Sequence, residues 1–118
     1  ANAEIREAAR LFLAKRSSIE QALIDQLQIM GLHASLLVEV NTFFGDVLLA
    51  ALQLGSPAFL EMDLEWVEKL LADRKIPEQN LVRYLHAYKQ SITLELGKTA
   101  ASITEWMDSY FARVQPGI

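Results

Sequence analysis

Residues 34–54 read ASLLVEVNTFFGDVLLAALQL, and the spacing within this stretch decides the fold class. At 100° per residue, Glu39, Thr42, Asp46 and Gln53 gather in one narrow polar stripe. Leu36, Leu37, Val40, Phe44, Leu48, Leu52 and the alanines fill the rest of the circle. A helix with so little polar surface must be covered on most sides, so the stretch predicts a central buried helix. Gly55 supplies its stop. Asn41 falls opposite the polar stripe, between Leu37, Phe44, Leu48 and Leu52. Gly45 lies near it, at a helix cost of about 1 kcal/mol relative to alanine. Such a glycine predicts the close approach of another helix or of a ligand. Glu39, Asn41 and Asp46 argue against reading the stretch as a membrane span.

Working outward, the punctuation predicts five more helices. Asn2 caps a first helix running to about Lys15, with Ile5, Ala8, Ala9 and Phe12 on one face. Ser17 and Glu20 have capping-box spacing and predict a second helix, with Ile19, Leu23, Leu27 and Met30 inward and Gly31 as its end. The 34–54 helix is then the third. Ser56-Pro57 opens a fourth running to about Asp73, with Phe59, Trp66, Val67, Leu70 and Leu71 inward. Pro77 opens a fifth, with Leu81, Leu85, Tyr88, Ile92 and Leu96 on one side and Gly97 closing it. Thr99 starts a sixth, whose face is Ile103, Trp106, Met107, Tyr110 and Val114. No segment alternates as a strand does. The expected fold is all-α: one domain over residues 1–118, a six-helix globin-like or orthogonal bundle around the third helix.

The totals exclude several activities. A chain of 118 residues suits one core and one domain. It has no cysteine, which removes disulfides, zinc–thiolate sites, thiol catalysis and thioether-attached cofactors. A net charge of −4 argues against a nucleic-acid-binding module. The lack of a recognisable signal peptide and of cysteine fits the cytoplasm. Hydrophobic residues make up 52%, rich for a free monomer, and this predicts a hidden face such as a homodimer interface.

Few residues have chemistry to offer. His33 and His86 are the only histidines, and neither has a second metal ligand at helical spacing. His86 falls with Val82, Lys89 and Thr93 on the flank of the fifth helix; it reads as a boundary histidine ahead of a haem or proton-relay role. His33 reads as a loop residue. Glu61, Glu65 and Glu68, with Asp63 nearby, read as a solvated acidic face before a cation site, and Glu65–Lys69 is an i,i+4 pair. Arg10, Lys15 and Arg16 read as complementing the dipole at the end of the first helix. No nucleophile elbow or phosphate-cradling glycine loop is present, and no metal or catalytic residue is assigned. Asn41 reads as a core amide bonded to backbone or to a tyrosine hydroxyl. Its sharper readings are a polar anchor for a ligand and a residue fixing dimer register. No cofactor-binding residue is assigned, and Asn41 and His86 are the two residues with any claim to such a role.

The run Phe59, Asp63, Trp66, Leu70, Leu71, Arg74, Ile76, Pro77, Leu81 and Leu85 resembles the helical regulatory domains that precede output domains in bacterial signalling proteins. Two groups share this likeness: the haem-free globin-like sensor domain of the stressosome RsbR type, and the helical segment before the cobalamin-binding domain of some regulators. The likeness covers residues 47–96 and centres on an Arg-x-Ile-Pro corner. It implies a non-enzymatic, cytoplasmic, homodimeric sensory module with its output domain beyond Ile118. It implies no cofactor, because the helix that would carry a globin's proximal histidine has none between residues 57 and 73. A partner protein or a small apolar ligand is its implied input, and the first and last helices its implied dimer surface. Three rivals remain: a haem or apolar-ligand sensor, a cap or adaptor of a cobalamin-binding regulator, and, last, a small helical enzyme, for which no acid–base pair stands out.

Overall fold

The computed structural model describes residues 2–29, 31, 33–55, 65–69, 72–73, 75 and 78–114. These residues form helices and connecting turns, with no strand among them, so the chain is all-α. Four α-helices are named here: α1 (Asn2–Gln28), α2 (Ala34–Leu54), α3 (Glu78–Leu96) and α4 (Ala101–Val114). A 3-10 turn, Gly97–Ala100, leads into α4, and residues 65–69 and 72–73 are also helical. The predicted opening of the fourth helix at Pro57, the predicted inward residues Met30, Phe59, Leu70 and Leu71, and Arg74, Ile76 and Pro77 of the corner lie outside the described residues.

The first departure from expectation is α1. The helices predicted over 2–15 and 17–30 are one helix of 27 residues. The reason is phase. No glycine or proline interrupts residues 2–30, and the inward positions Ile5, Phe12 and Ile19 follow one another at seven residues, two turns apart. The two apolar stripes are one stripe, buried at Ala8, Phe12, Ile19, Leu23 and Leu27. Ser17 is exposed on the outer side, so its spacing to Glu20 makes no cap. At 1.5 Å per residue α1 is about 40 Å long, close to the longest dimension of the molecule, 41 Å.

The second departure concerns the centre. α1 packs along both α2 and α3 and also meets the 3-10 turn and α4, so among the described residues α1 is the hub. α2 has the bounds predicted for it, and Gly55 ends it in the left-handed conformation (φ 69°), donating to the carbonyls of Ala51 and Leu52. Its polar stripe is exposed as expected. Its apolar surface is buried on one side only: Leu37, Phe44, Leu48 and Leu52 enter the core, whereas Leu36, Phe43, Val47 and Leu49 are half-buried and Val38 and Leu54 exposed. Residues 35–54 are long and apolar enough to cross a membrane by length and composition, a test that the core helix of a soluble protein also passes.

The rest of the core follows the predicted faces. Leu81, Leu85, Tyr88, Ile92 and Leu96 of α3 are buried, as are Ile103, Met107 and Tyr110 of α4. Gly97 turns the chain between them at φ 60°, a conformation only glycine adopts cheaply. Trp66, expected inward, is half exposed and lies against Phe43 with ring centroids 4.6 Å apart, while its neighbour Val67 is buried.

Candidate functional site

Asn41 is 2% exposed and both ends of its amide are used. Its Nδ2 donates to the backbone carbonyl of Glu20 on α1 at 3.3 Å, and its Oδ1 accepts from the hydroxyl of Tyr84 on α3 at 2.5 Å. One side chain of α2 thus ties three helices together. A buried amide left unpaired costs about 1–3 kcal/mol, so this pairing fixes how the helices meet.

One turn further along α2 is Gly45, and its role is equally specific. A Cβ placed there would lie 2.5–2.6 Å from the guanidinium of Arg16. Arg16 donates from Nε to Glu20 Oε2 at 2.8 Å, from Nη1 to Asp46 Oδ1 at 2.8 Å and from Nη2 to the Thr42 carbonyl at 3.0 Å. Burial works against the charge of Arg16, but the carboxylates of Glu20 and Asp46 outweigh it and raise its pKa. The close approach predicted for Gly45 is therefore that of an arginine from the chain itself.

The basic group predicted to complement a helix end divides instead. α1 does not end at Lys15, so Arg10 pairs with Glu7 on the surface, Lys15 is exposed, and Arg16 turns onto α2. The sequence carried a signal for this. Arg16 sits on the inward stripe, one turn after Phe12, where a charged residue needs a partner and a gap to enter.

Beside these bonds is an aromatic nest. Tyr88 packs edge-on to Phe44 at 4.7 Å and lies 5.7 Å from Tyr84 and 6.4 Å from Phe12. The Tyr88 hydroxyl is buried and has no hydrogen-bond partner among the described residues. Burial drives both tyrosine hydroxyls well above their ordinary pKa of 10.0, so both are neutral donors at physiological pH.

His86, the other candidate, is elsewhere. Its exposed imidazole lies flat on Phe111 of α4, with centroids 3.9 Å apart and planes 8° from parallel. It lines a surface hollow of about 410 Å³ with Lys89, Gln90, Thr93 and Leu94. Next to it Lys89 pairs with Asp108 at 2.5 Å. Asn41 and His86 therefore do not converge on one site. His33 is exposed at the start of α2 and caps nothing with its side chain. Of the acidic face, Glu61 and Asp63 lie outside the described residues, Glu65 is exposed, and Glu68 accepts from the Tyr110 hydroxyl. Among the described residues no group of three or more His, Asp or Glu side chains is placed to hold a metal ion.

Comparisons with protein-family models, with curated proteins and with solved structures give no match to this chain.

Proposed function

We propose that this chain is a non-catalytic regulatory domain of a bacterial signalling protein, which dimerises and passes a change in helix packing to an output domain beyond Ile118. The observation that carries the reading is where the buried polar groups go. Asn41 and Arg16 use their hydrogen bonds to join α1, α2 and α3. A long rod fixed at its middle by directional bonds suits transmission, because a shift of α1 must move α2 and α3 with it. A globin-like or orthogonal arrangement and a cytoplasmic setting belong to the same proposal, as does a dimer surface on the first and last helices. Leu13, 59% exposed on the outer side of α1, is an apolar residue for that surface. The net charge of −4 favours protein partners over nucleic acid. Light scattering from low to high micromolar concentration tests the association: a dimer is expected, and a monomer throughout overturns it.

A second reading, a sensor for a small apolar ligand, is favoured by one feature, the buried donor at Tyr88 among aromatic rings. Native mass spectrometry of freshly purified protein tests it, since a bound molecule appears as added mass. A haem version has less support, because His86 is stacked on Phe111 at the surface and away from that nest.

A further inference from the structure

α2 has one side in the core and one side open. Leu36, Phe43 and Ala50 recur every seven residues along the open side, and Val47 and Leu54 fall beside them. Leu36, Phe43 and Val47 are half-buried, Ala50 is exposed and Leu54 is 64% exposed. From Leu36 to Leu54 this apolar line is about 27 Å long at 1.5 Å per residue. The Trp66 indole rests on Phe43 part-way along it and is itself half exposed. A tryptophan of this kind, exposed and backed by a packed ring, is the residue type that most often anchors protein interfaces. Glu39 and Asp46, each three residues on from Leu36 and Phe43, form the edge of the line, and both are exposed. Arg16 reaches Asp46 from the α1 side, yet the carboxylate stays 68% exposed. Beside Trp66 the exposed Glu65 and Lys69 cancel in net charge, so the acidic edge sets the sign of the face.

We propose that this face of α2, with Trp66 as its anchor, docks an amphipathic partner helix whose edge carries lysine or arginine. Apolar side chains of the partner pack along the line and its cations meet Glu39 and Asp46, which is the helix-in-groove mode of recognition. Charge selects this occupant over two others. α2 contains no lysine or arginine, so a second copy of α2 has nothing with which to neutralise the edge, and turned antiparallel it sets carboxylate against carboxylate. A lipid surface with anionic headgroups is repelled by the same edge. The dimer surface proposed on the first and last helices leaves this side of α2 free. The face supplies the partner chemistry that the regulatory reading leaves open, and it rests on that reading for its role as an input.

Selection from a phage-displayed library of amphipathic helices as long as α2 tests it. Each member has an apolar stripe at helical spacing and either lysine or glutamate, at random, along one edge. Selected binders are expected to carry lysine, to lose at least about tenfold in affinity against Trp66→Ala, and to weaken as salt is raised. Leu54→Ser, a change at an exposed site with little effect on folding, weakens them as well and keeps the test decisive if Trp66→Ala fails to fold. No binders, binders without a charge preference, or binders indifferent to both substitutions overturn the proposal. Two controls identify the other occupants, and either positive result also overturns it. A dimer by light scattering that Leu54→Ser converts to monomer assigns the face to a second copy. Pelleting with phosphatidylcholine–phosphatidylserine vesicles that Leu54→Ser abolishes assigns it to lipid. A dimer in the absence of selected binders leaves the regulatory reading standing, and a monomer that selects lysine-edged helices leaves the docking face standing without that reading.

Discussion

Two seams of this molecule use similar residues to different effect. Where α1 crosses α2 and α3, an arginine, a carboxylate and an amide meet under cover: Arg16 is 18% exposed and Asn41 2%. Where α3 meets α4, the charged pair Lys89–Asp108 is 34% and 53% exposed, and the imidazole of His86 lies flat on Phe111 at the edge. Both seams contain an ion pair and packed rings. Water screens the second pair more than the first, so the first does more to specify helix positions. Burial, more than residue type, decides which contacts hold the architecture.

The largest effect expected from this contrast is in the rings. Phe44→Ala empties a site in contact with Tyr84 and Tyr88 and should cost about 3–5 kcal/mol in chemical denaturation. Phe111→Ala, at the rim beside His86, should cost clearly less. Equal losses would remove the distinction between the seams.

The ion pairs give the next effect. Arg16→Ala should cost about 1–2 kcal/mol, because it leaves the half-buried Glu20 without its cation. Lys89→Ala should cost under about 1 kcal/mol and lose that difference in high salt. Gly45→Ala sharpens the point. Alone it gains about 1 kcal/mol of helix propensity but displaces Arg16, so the net change is near zero. In an Arg16→Ala background the full gain should appear.

A further effect is read at alkaline pH. Both tyrosines have folded pKa values raised above the ordinary 10.0 by burial. Their contribution is intact below about pH 10 and is lost as pH rises from there toward the folded values, because the unfolded chain ionises first. Replacing either by phenylalanine should flatten the fall in stability by about 1.4 kcal/mol per pH unit, measured by urea unfolding between pH 9 and 11. An unchanged slope would mean that the replaced hydroxyl is not buried.

Much of this fold is legible in the sequence and some is not, for physical reasons. The bounds of α2 are legible because its apolar residues keep helical spacing from Leu36 to Leu52 and Gly55 supplies the stop. The dry-side placement of Asn41, and its bonds to a backbone carbonyl and a tyrosine, follow from helical phase and from the cost of an unpaired amide. The unity of α1 is less legible because Ser17 and Glu20 have the spacing of a cap. A stripe that stays in phase through them overrides that local signal. The one-sided burial of α2 is not legible either, since an apolar helix fixes how much surface wants cover and not which neighbour supplies it. Nor is the Arg16–Asp46 pair, which joins residues 30 positions apart. Only the inward placement of Arg16 hinted that it had a partner.

The central claim is that Asn41 and its partners position helices. A double-mutant cycle on Asn41→Leu and Tyr84→Phe, read by urea unfolding, tests it most directly. Each single change strands a buried polar group and should cost about 1–3 kcal/mol. The double change strands neither side of that bond, so the cycle should show a coupling of about 1–2 kcal/mol. Strictly additive losses would contradict the account, because they would mean that the amide and the hydroxyl do not depend on each other.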